Sequence, residues 1–289
     1  NGNCNNMFLY DGANLTIQTG QVLNVAGNWQ AQTSTVVHGE GTVRFNSNSG
    51  AKFINGSTTF PRMTNNNADV LTISSGMQTI VYALGLQRGN LVTNGSITLA
   101  SDANYTALLD NFSTGFNGLI TGNITVNRHI AGNRGYRYLS NPINVSAALS
   151  VLNFGPSVKG PNGVVYNPGN PPHPNQFPTC WVYNENDANV VESKNPQSGW
   201  VSVTTAATTL QPMKGYAVII DGTQTLSYSG EPNSGDFSIP ITYTASGAAV
   251  ADGANLVGNP YPSPVSWNAI TGLGANSGQI TNVVKRFAS

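Results

Sequence analysis

Charged side chains are scarce in this sequence of 289 residues. Asp, Glu, Lys and Arg make up 8% of the chain, with 12 basic and 12 acidic residues, whereas soluble domains carry roughly 25%. No basic stripe is present, and nucleic-acid binding needs clustered Lys and Arg, so the composition argues against that class of partner. A neutral surface gives little electrostatic repulsion between copies, which favours self-association.

Long apolar runs are also missing. No stretch near 18 residues could span a bilayer, and no charged segment followed by an apolar one marks a leader, so we expect no membrane insertion and a processed, exported product. The two cysteines, Cys4 and Cys180, are too few for a disulfide framework. Three states stay open for them: one Cys4–Cys180 disulfide, two buried thiols, or a cross-link from Cys4 to a neighbouring chain.

Catalytic signatures are absent as well. The three histidines are isolated in sequence, and there is no nucleophile elbow, phosphate-binding loop or dinucleotide-binding glycine motif. We therefore predict a protein that is not an enzyme and has no cofactor. Ca²⁺ is the one weak candidate, because Glu185, Asp187 and Glu192 form the densest carboxylate cluster. That cluster lacks the spacing of a calcium loop, and a solvated hairpin loop is the favoured alternative.

The first part of the chain repeats a short motif in which a Gly or Asn turn precedes a strand with alternate apolar residues. Examples are Gly41-Thr-Val-Arg-Phe45 and Gly95-Ser-Ile-Thr-Leu99. Period-2 alternation between frequent turns predicts a β-solenoid of the parallel β-helix type over residues 1–128, and an up-and-down sandwich is the alternative. Between Asp102 and Phe116 the glycines stop, which indicates a short helix over 105–111 or a capping loop.

Beyond residue 128 the sequence becomes rich in Tyr, Trp and Pro, and we predict an all-β, sandwich-like domain over residues 129–289. Within it, Gly135-Tyr-Arg-Tyr-Leu-Ser-Asn-Pro-Ile143 is echoed by Gly253-Ala-Asn-Leu-Val-Gly-Asn-Pro-Tyr261. A strand that runs into Asn-Pro should end and turn at the rim of a sheet. Trp181 and Trp200 are candidates for stacking on sugar rings, although strand alternation favours packing in the core.

Several of these segments resemble the large secreted surface proteins of Bacteroidota. The resemblance lies in the Gly-rich repeats and in Arg134-Gly-Tyr-Arg-Tyr-Leu-Ser-Asn-Pro-Ile, Leu210-Gln-Pro-Met-Lys-Gly-Tyr-Ala-Val-Ile and Asn255-Leu-Val-Gly-Asn-Pro-Tyr-Pro-Ser. It implies an extracellular, cell-surface protein of adhesin type, exported by the type IX route. Such proteins typically end in a C-terminal sorting domain, whereas this sequence stops at Lys285-Arg-Phe-Ala-Ser289. Either that domain was removed or the sequence is a piece of a longer chain. The resemblance supplies no catalytic residues.

The leading hypothesis is therefore a structural or adhesive surface protein that self-associates into a filament or matrix. Its partners would be further copies, other surface components or glycans. The apolar segment formed by Met7, Phe8, Leu9 and Tyr10 is the candidate strand for pairing with a neighbouring copy. The alternative is a carbohydrate-binding portion of an exported enzyme that acts on polysaccharides.

Overall fold

The computed structural model describes residues 1–110, 118–133, 135–144, 147–148, 180–186, 199–203, 209–220, 222–245 and 253–271. The chain is all-β and divides into two units. Unit 1 contains Asn1–His129 together with Ser227–Pro232, and unit 2 contains Ile130–Leu226 and Asn233–Ser289. Within the described ranges, the only helix is α1, a single short turn at Trp267–Thr271. No helix there is long and apolar enough to cross a membrane.

Unit 1 is a β-solenoid of about five turns. Its strands are β1 (Gly2–Cys4), β2 (Met7–Leu9), β3 (Leu15–Ile17), β4 (Val22–Val25), β5 (Trp29–Ala31), β6 (Thr35–Gly39), β7 (Thr42–Phe45), β8 (Lys52–Asn55), β9 (Thr58–Asn66), β10 (Leu71–Ile73), β11 (Gln78–Arg88), β12 (Leu91–Val92), β13 (Ile97–Leu99), β14 (Leu108–Asp110), β15 (Ile120–Thr121) and β16 (Ile124–Ile130). The predicted parallel β-helix is confirmed.

Three parallel sheets form the sides of the solenoid. The first sheet contains β1, β4 and β7, and the second contains β2, β5, β8, β10, β12 and β15. The third contains β3, β6, β13 and β16. Strands β9 and β11 belong to both the first and third sheets, because their opening residues pair in the third and their later residues in the first. In the first sheet, Leu23, Val43 and Met63 are successive partners, so one coil takes 20 residues.

Apolar side chains fill the interior. Trp29, Phe45 and Phe60 are fully buried, and their ring centroids lie 5.1 to 6.3 Å apart. The indole of Trp29 donates a hydrogen bond to the Thr58 hydroxyl at 3.0 Å, so its polar edge is satisfied inside the core. Since no coil could bury its own inward side chains, these contacts between successive coils stabilise the unit.

Glycine is required where the coils turn close to one another. Gly56 and Gly76 occupy successive coils with φ of 82° and 77°. A Cβ on Gly76 would overlap the backbone of Gly56, and one on Gly56 would overlap the carbonyl of Ala31. The repeated Gly turns of the sequence therefore set how closely the coils stack.

The segment after Ala100 differs from its prediction. Residues Leu108–Asp110 form β14, which pairs in parallel with β11, so the helix predicted over 105–111 is wrong for these residues. Before them, the Asp102 carboxylate accepts hydrogen bonds from the amides of Asn104 and Tyr105 at 2.7 and 3.1 Å. This turn, rather than a helix, returns the chain to the sheet.

The strands after residue 130 are β17 (Gly135–Leu139), β18 (Ala147–Ala148), β19 (Cys180–Tyr183), β20 (Trp200–Ser202), β21 (Thr209–Leu210), β22 (Tyr216–Ile220) and β23 (Gln224–Gly230). In unit 2 four of them form an antiparallel sheet in the order β17-β22-β19-β20, and β18 pairs with β21. All five residues of β22 are buried. The inner strand β22 is therefore buried on both of its faces.

The two echoed Asn-Pro segments meet in unit 2. Each forms the same local turn, because the side-chain oxygens of Asn141 and Asn259 accept hydrogen bonds from the amides two residues later. Asn233, 2% exposed, donates from its side chain to the carbonyls of Asn141 at 3.0 Å and Pro260 at 2.7 Å. A shared sequence motif thus corresponds to a shared turn, and one buried amide joins the two copies.

Candidate functional site: the first coil of the solenoid

Strands β1, β2 and β3 make up the first coil, and each is the outermost strand of its sheet. β1 pairs with β4, β2 with β5 and β3 with β6. Nowhere in the described chain does a strand pair along their opposite edges. Three unpaired strand edges therefore lie at one end of the solenoid, and such edges are templates for pairing with another strand.

The predicted assembly segment belongs to this coil. Met7, Phe8 and Leu9 form β2, and Tyr10 follows it, so the segment is part of the folded solenoid and not a free arm. The Met7 amide donates to Asn28, and the Leu9 carbonyl accepts from Gln32. Since alternate residues of a parallel strand bond to the same neighbour, the amide and carbonyl of Phe8 face the unpaired edge.

The first coil also covers the core incompletely. Its inward side chains Cys4, Met7 and Leu15 are partly exposed, whereas their partners in the next coil, Val25 and Trp29, are fully buried. Phe8 and Tyr10 point outward and are 53% and 69% exposed. In the described chain, the first coil therefore presents apolar surface together with strand edges that no other strand pairs with.

Side chains that protect strand edges in other proteins are absent from this coil. Residues 1–20 contain no Lys, Arg or Pro, and their one carboxylate is Asp11. Natural edge strands are usually blocked by Lys, by Pro or by a bulge. The first coil carries none of these features in its three strands.

The opposite end of the third sheet is covered by the chain itself. β23 follows β16 in the sheet order, and its residues from Ser227 belong to unit 1. The Ser227 hydroxyl donates to the side-chain oxygen of Asn127 at 2.8 Å. Tyr228 is 2% exposed. We call Ser227–Pro232 the cap segment, because it supplies the last strand of this sheet.

Burial beneath the cap segment shifts the pKa values of two side chains, Tyr228 and Arg128. Desolvation raises the pKa of Tyr228 and lowers the pKa of Arg128, and each group partly offsets the shift of the other. The Arg128 guanidinium also donates to the carbonyl of Asn127 at 2.7 Å. One end of the third sheet is thus closed by a buried phenol, while β3, at the other end, has no further partner among the described strands.

A second candidate site lies on the four-stranded sheet of unit 2. The pairings of Tyr138 with Ala217, Ala217 with Trp181, and Tyr183 with Trp200 place these side chains on one face. Tyr136, two residues before Tyr138, shares that face and is 46% exposed.

The rings on this face meet above the sheet. Trp200 contacts Tyr183 edge to face at a centroid distance of 5.1 Å and Tyr138 at 6.2 Å. Trp181 and Trp200 are each half-buried. Both candidates for sugar stacking are therefore brought to one aromatic surface, which combines packing among the rings with partial exposure.

The weak metal candidates are only partly placed by the structure. Glu185 is 2% exposed, and its carboxylate accepts hydrogen bonds from the Thr244 amide and hydroxyl, both at 3.1 Å, and from the Gly253 amide at 3.4 Å. These bonds hold a loop and occupy both oxygens. Asp187 and Glu192 lie outside the described residues, so the Ca²⁺ site stays a prediction. Among the residues that are described, no three His, Cys, Asp or Glu side chains gather to hold a metal ion.

Both cysteines are free thiols, so no disulfide joins Cys4 to Cys180 in the structure. Burial raises the pKa of both, and that of Cys180 reaches about 12. Cys4 points into the solenoid, because it pairs with Val25 in the stack of inward residues. Its partial exposure follows from its place in the first coil.

Sequence reasoning missed the cap segment and the bridging role of Asn233. Alternating apolar residues over 224–228 indicate a strand, but they give no signal for its partner. The repeated Asn-Pro motif did signal that two equivalent turns exist. Nothing in the pattern around Asn233 indicated that its side chain would join them.

Comparisons with known proteins place the chain in a family without a described function. No curated protein and no solved structure matches it. Residues 46–289 match a family described as a domain of unknown function, DUF8693. This match begins directly after β7, the first strand of the third coil, and extends to the last residue. Because it spans most of the sequence, the chain belongs to the DUF8693 family.

Proposed function

We propose that the chain is a non-catalytic, extracellular structural or adhesive surface protein, and that copies self-associate through the first coil. The observation that carries the proposal is the contrast between the two ends of the third sheet. Its β16 end is closed by the cap segment, whereas the outer edge of β3 has no partner in the described chain, and the same holds for the outer edges of β1 and β2 in the same coil.

A second copy is the occupant that this surface suits best. The first coil offers unpaired backbone groups and exposed apolar side chains such as Phe8, and its only carboxylate is Asp11. Two such coils can approach with little like-charge repulsion, and strand pairing between them would satisfy their backbone groups. The neutral composition of the whole chain, with 12 basic and 12 acidic residues, supports the same conclusion.

A lysine at the open edge tests this proposal. Phe8→Lys places a charge on β2, where the Phe8 side chain is 53% exposed, so the fold should tolerate the change. The matched control is Phe53→Lys on β8, which lies two strands inside the same sheet and is 41% exposed. We expect Phe8→Lys to abolish assembly in negative-stain electron microscopy and light scattering, and Phe53→Lys to assemble like the parent chain.

Truncation gives a second readout. Deleting residues 1–11 removes β1 and β2, and the proposal predicts that assembly is lost or strongly weakened. Regular fibres or defined pairs from the parent chain would support a structural role. Monomeric parent chain at high concentration, or unchanged assembly of Phe8→Lys, would contradict it. Masses measured with and without reductant would show whether Cys4 cross-links neighbouring copies.

The proposed location and export route rest on the sequence alone. We propose a cell-surface location and type IX export on the resemblance to surface proteins of Bacteroidota. A sandwich-like arrangement of unit 2 is also proposed, and it is supported by β22, where Tyr216 and Val218 on one face and Ala217 and Ile219 on the other are all buried. A second layer of structure against Tyr216 and Val218 would account for their burial, whereas Ala217 and Ile219 lie on the aromatic face.

Carbohydrate binding is the second candidate function, and the aromatic face of unit 2 favours it. Tyr136, Tyr138, Trp181, Tyr183 and Trp200 share that face, and aromatic rings stack on neutral sugars. Affinity electrophoresis through soluble xylan and β-glucan tests this function. Trp200→Ala should remove the retardation, whereas Tyr243→Ala, which removes a 73% exposed tyrosine elsewhere in unit 2, should keep it. Equal migration of the parent chain with and without glycan would reject it.

A further inference from the structure

Threonines form an unbroken row on the outer surface of the third sheet. Thr59 pairs with Thr79, Thr79 with Thr98, and Thr98 with Thr125, on the neighbouring strands β9, β11, β13 and β16. Val36 on β6 pairs with Thr59 and extends the row. Because side chains of in-register parallel strands repeat at the strand spacing, the hydroxyl and methyl groups recur about every 4.8 Å.

A second row runs beside the first, two residues earlier on each strand. Its members are small or unbranched and all uncharged: Ser34, Ser57, Met77, Ser96 and Asn123. Backbone hydrogen bonds keep this row in step, since the amides of Thr35, Thr58 and Gln78 donate to the carbonyls of Ser57, Met77 and Ser96 at 3.0, 3.1 and 2.8 Å. We call the two rows together the threonine face.

Met77 is the one large side chain on the threonine face. It is 45% exposed, and its sulfur lies 3.6 Å from the Thr98 hydroxyl. The methionine therefore leans along the sheet toward the next coil. The two rows are therefore not fully regular. Met77 interrupts the second row, and Val36 replaces a threonine in the first.

The core beneath keeps the threonine face rigid. Phe60, Ile80, Leu99 and Val126 are the inward neighbours of the four threonines, and all are fully buried. Thr is stiff about χ1, so its hydroxyl and methyl are also held in place. An array that is ordered before binding loses little conformational entropy when it binds.

The threonine face lacks the groups with which proteins usually bind charged or sugar ligands. No residue of either row is charged, so phosphates and acidic polymers find no counter-charge. No aromatic ring is present to stack on a sugar. The side chains are short, and a flexible ligand could not be wrapped by them. The ligand that suits this face is therefore rigid, flat and uncharged, and it has a structural repeat similar to the spacing of the strands.

We propose that the threonine face binds the surface of an ice crystal. Hydroxyl groups at the strand spacing can hold water molecules at a repeat comparable with the oxygen repeat along the a axis of hexagonal ice, and the intervening methyl groups limit other arrangements of water. This binding site is separate from the first-coil edges, and it requires only a single copy of the chain.

Ice recrystallisation inhibition and thermal hysteresis of the full chain test the proposal. The parent chain should inhibit recrystallisation, and Thr79→Tyr should lower the activity at least tenfold, because a ring in the middle of the row holds the crystal away from the face. Thr72→Tyr is the matched control: Thr72 also points outward between buried neighbours, but on the second sheet. It should retain the parent activity, with circular dichroism confirming that both variants fold.

A gain of activity gives an independent check. Met77→Thr makes the second row more regular and should raise recrystallisation inhibition at equal concentration. Phe8→Lys, which blocks self-association, should keep ice activity per chain, so the failure of one proposal is distinguishable from the failure of the other. A parent chain without ice activity, or a Thr79→Tyr variant with full activity, would overturn the proposal. Retention on swollen cellulose without ice activity would assign the face to a polysaccharide instead.

Discussion

At the scale of single residues, Asn233 carries more structure than its surroundings suggest. Its side-chain amide donates to Asn141 and Pro260, and its backbone amide donates to Pro142 at 3.1 Å. The carbonyls at 141 and 260 belong to the two equivalent Asn-Pro turns. Removing a buried donor leaves its acceptors without partners, which costs more than the net value of the bonds.

We therefore predict that Asn233→Ala lowers the free energy of unfolding by about 2–4 kcal/mol. Asn233→Asp should be at least as harmful, because it replaces the donor with an acceptor. Urea denaturation followed by tryptophan fluorescence measures the change. Asn144→Ala, an exposed asparagine after the first turn, is the control and should change stability by less than about 0.5 kcal/mol.

Cys180 predicts a dependence of stability on pH. Burial raises the pKa of its thiol from 9.0 to about 12, so the folded chain holds this proton where the unfolded chain releases it. The resulting stabilisation is complete below pH 9 and is lost as the pH rises from 9 toward 12. Between pH 9 and 10, where an unfolded cysteine is more ionised than an unfolded tyrosine, Cys180→Ala should flatten part of the fall in the free energy of unfolding. Equal slopes for both chains would contradict the assignment.

At the scale of elements, the cap segment is the part of unit 1 that comes from farthest along the chain. Tyr228 is buried near Arg128, and Ser227 bonds to Asn127. The last coil would otherwise present β16 as an open edge. The closure of the third sheet thus depends on a few residues of β23.

Tyr228→Ala should expose that edge. We expect a loss of about 3–5 kcal/mol in the stability of unit 1, together with faster hydrogen exchange of the amides in β16. Tyr10→Ala is the control, because it removes a tyrosine that is 69% exposed. If exchange in β16 is the same in Tyr228→Ala and the parent chain, the cap segment does not protect the last coil.

The sequence predicts elements well where the signal is local. Alternation and Gly turns identify strands such as β7 and β13, and recurrence of the motif predicts their stacking. The partner of β23 was not predictable, because alternation shows that a strand has a buried face but not which strand lies beside it. The helix suggested over 105–111 is wrong for the described residues 108–110 for a related reason, because their pairing with β11 outweighs local preference.

The same distinction applies to the candidate sites. Phe8 and Trp200 were identifiable as apolar or aromatic residues in short strands. Their roles depend on register: Phe8 is at an edge because β2 is the last strand of its sheet, and Trp200 meets Tyr138 across two intervening strands. Register between distant segments is set by the whole fold and not by any local pattern.

At the scale of the whole molecule, near-neutrality predicts that assembly is insensitive to salt. The only charged side chain of the first coil is Asp11, so there is little charge to screen. Raising the ionic strength from about 0.05 to 0.5 M should change the half-assembly concentration less than about twofold. Light scattering at several salt concentrations measures this. A large shift would indicate that charged surfaces, and not the strand edges, drive association.

The position of the cap segment late in the chain also affects how the protein folds during synthesis. A chain made from its amino terminus completes β16 at Ile130, and Ser227 follows 97 residues later. At roughly 5–20 residues per second, this interval lasts about 5–20 s. During it the nascent solenoid has an unprotected edge at its growing end, which makes that interval the most vulnerable to wrong pairing with other chains. Synthesis or translocation that pauses between these two positions should therefore increase aggregation more than a pause elsewhere.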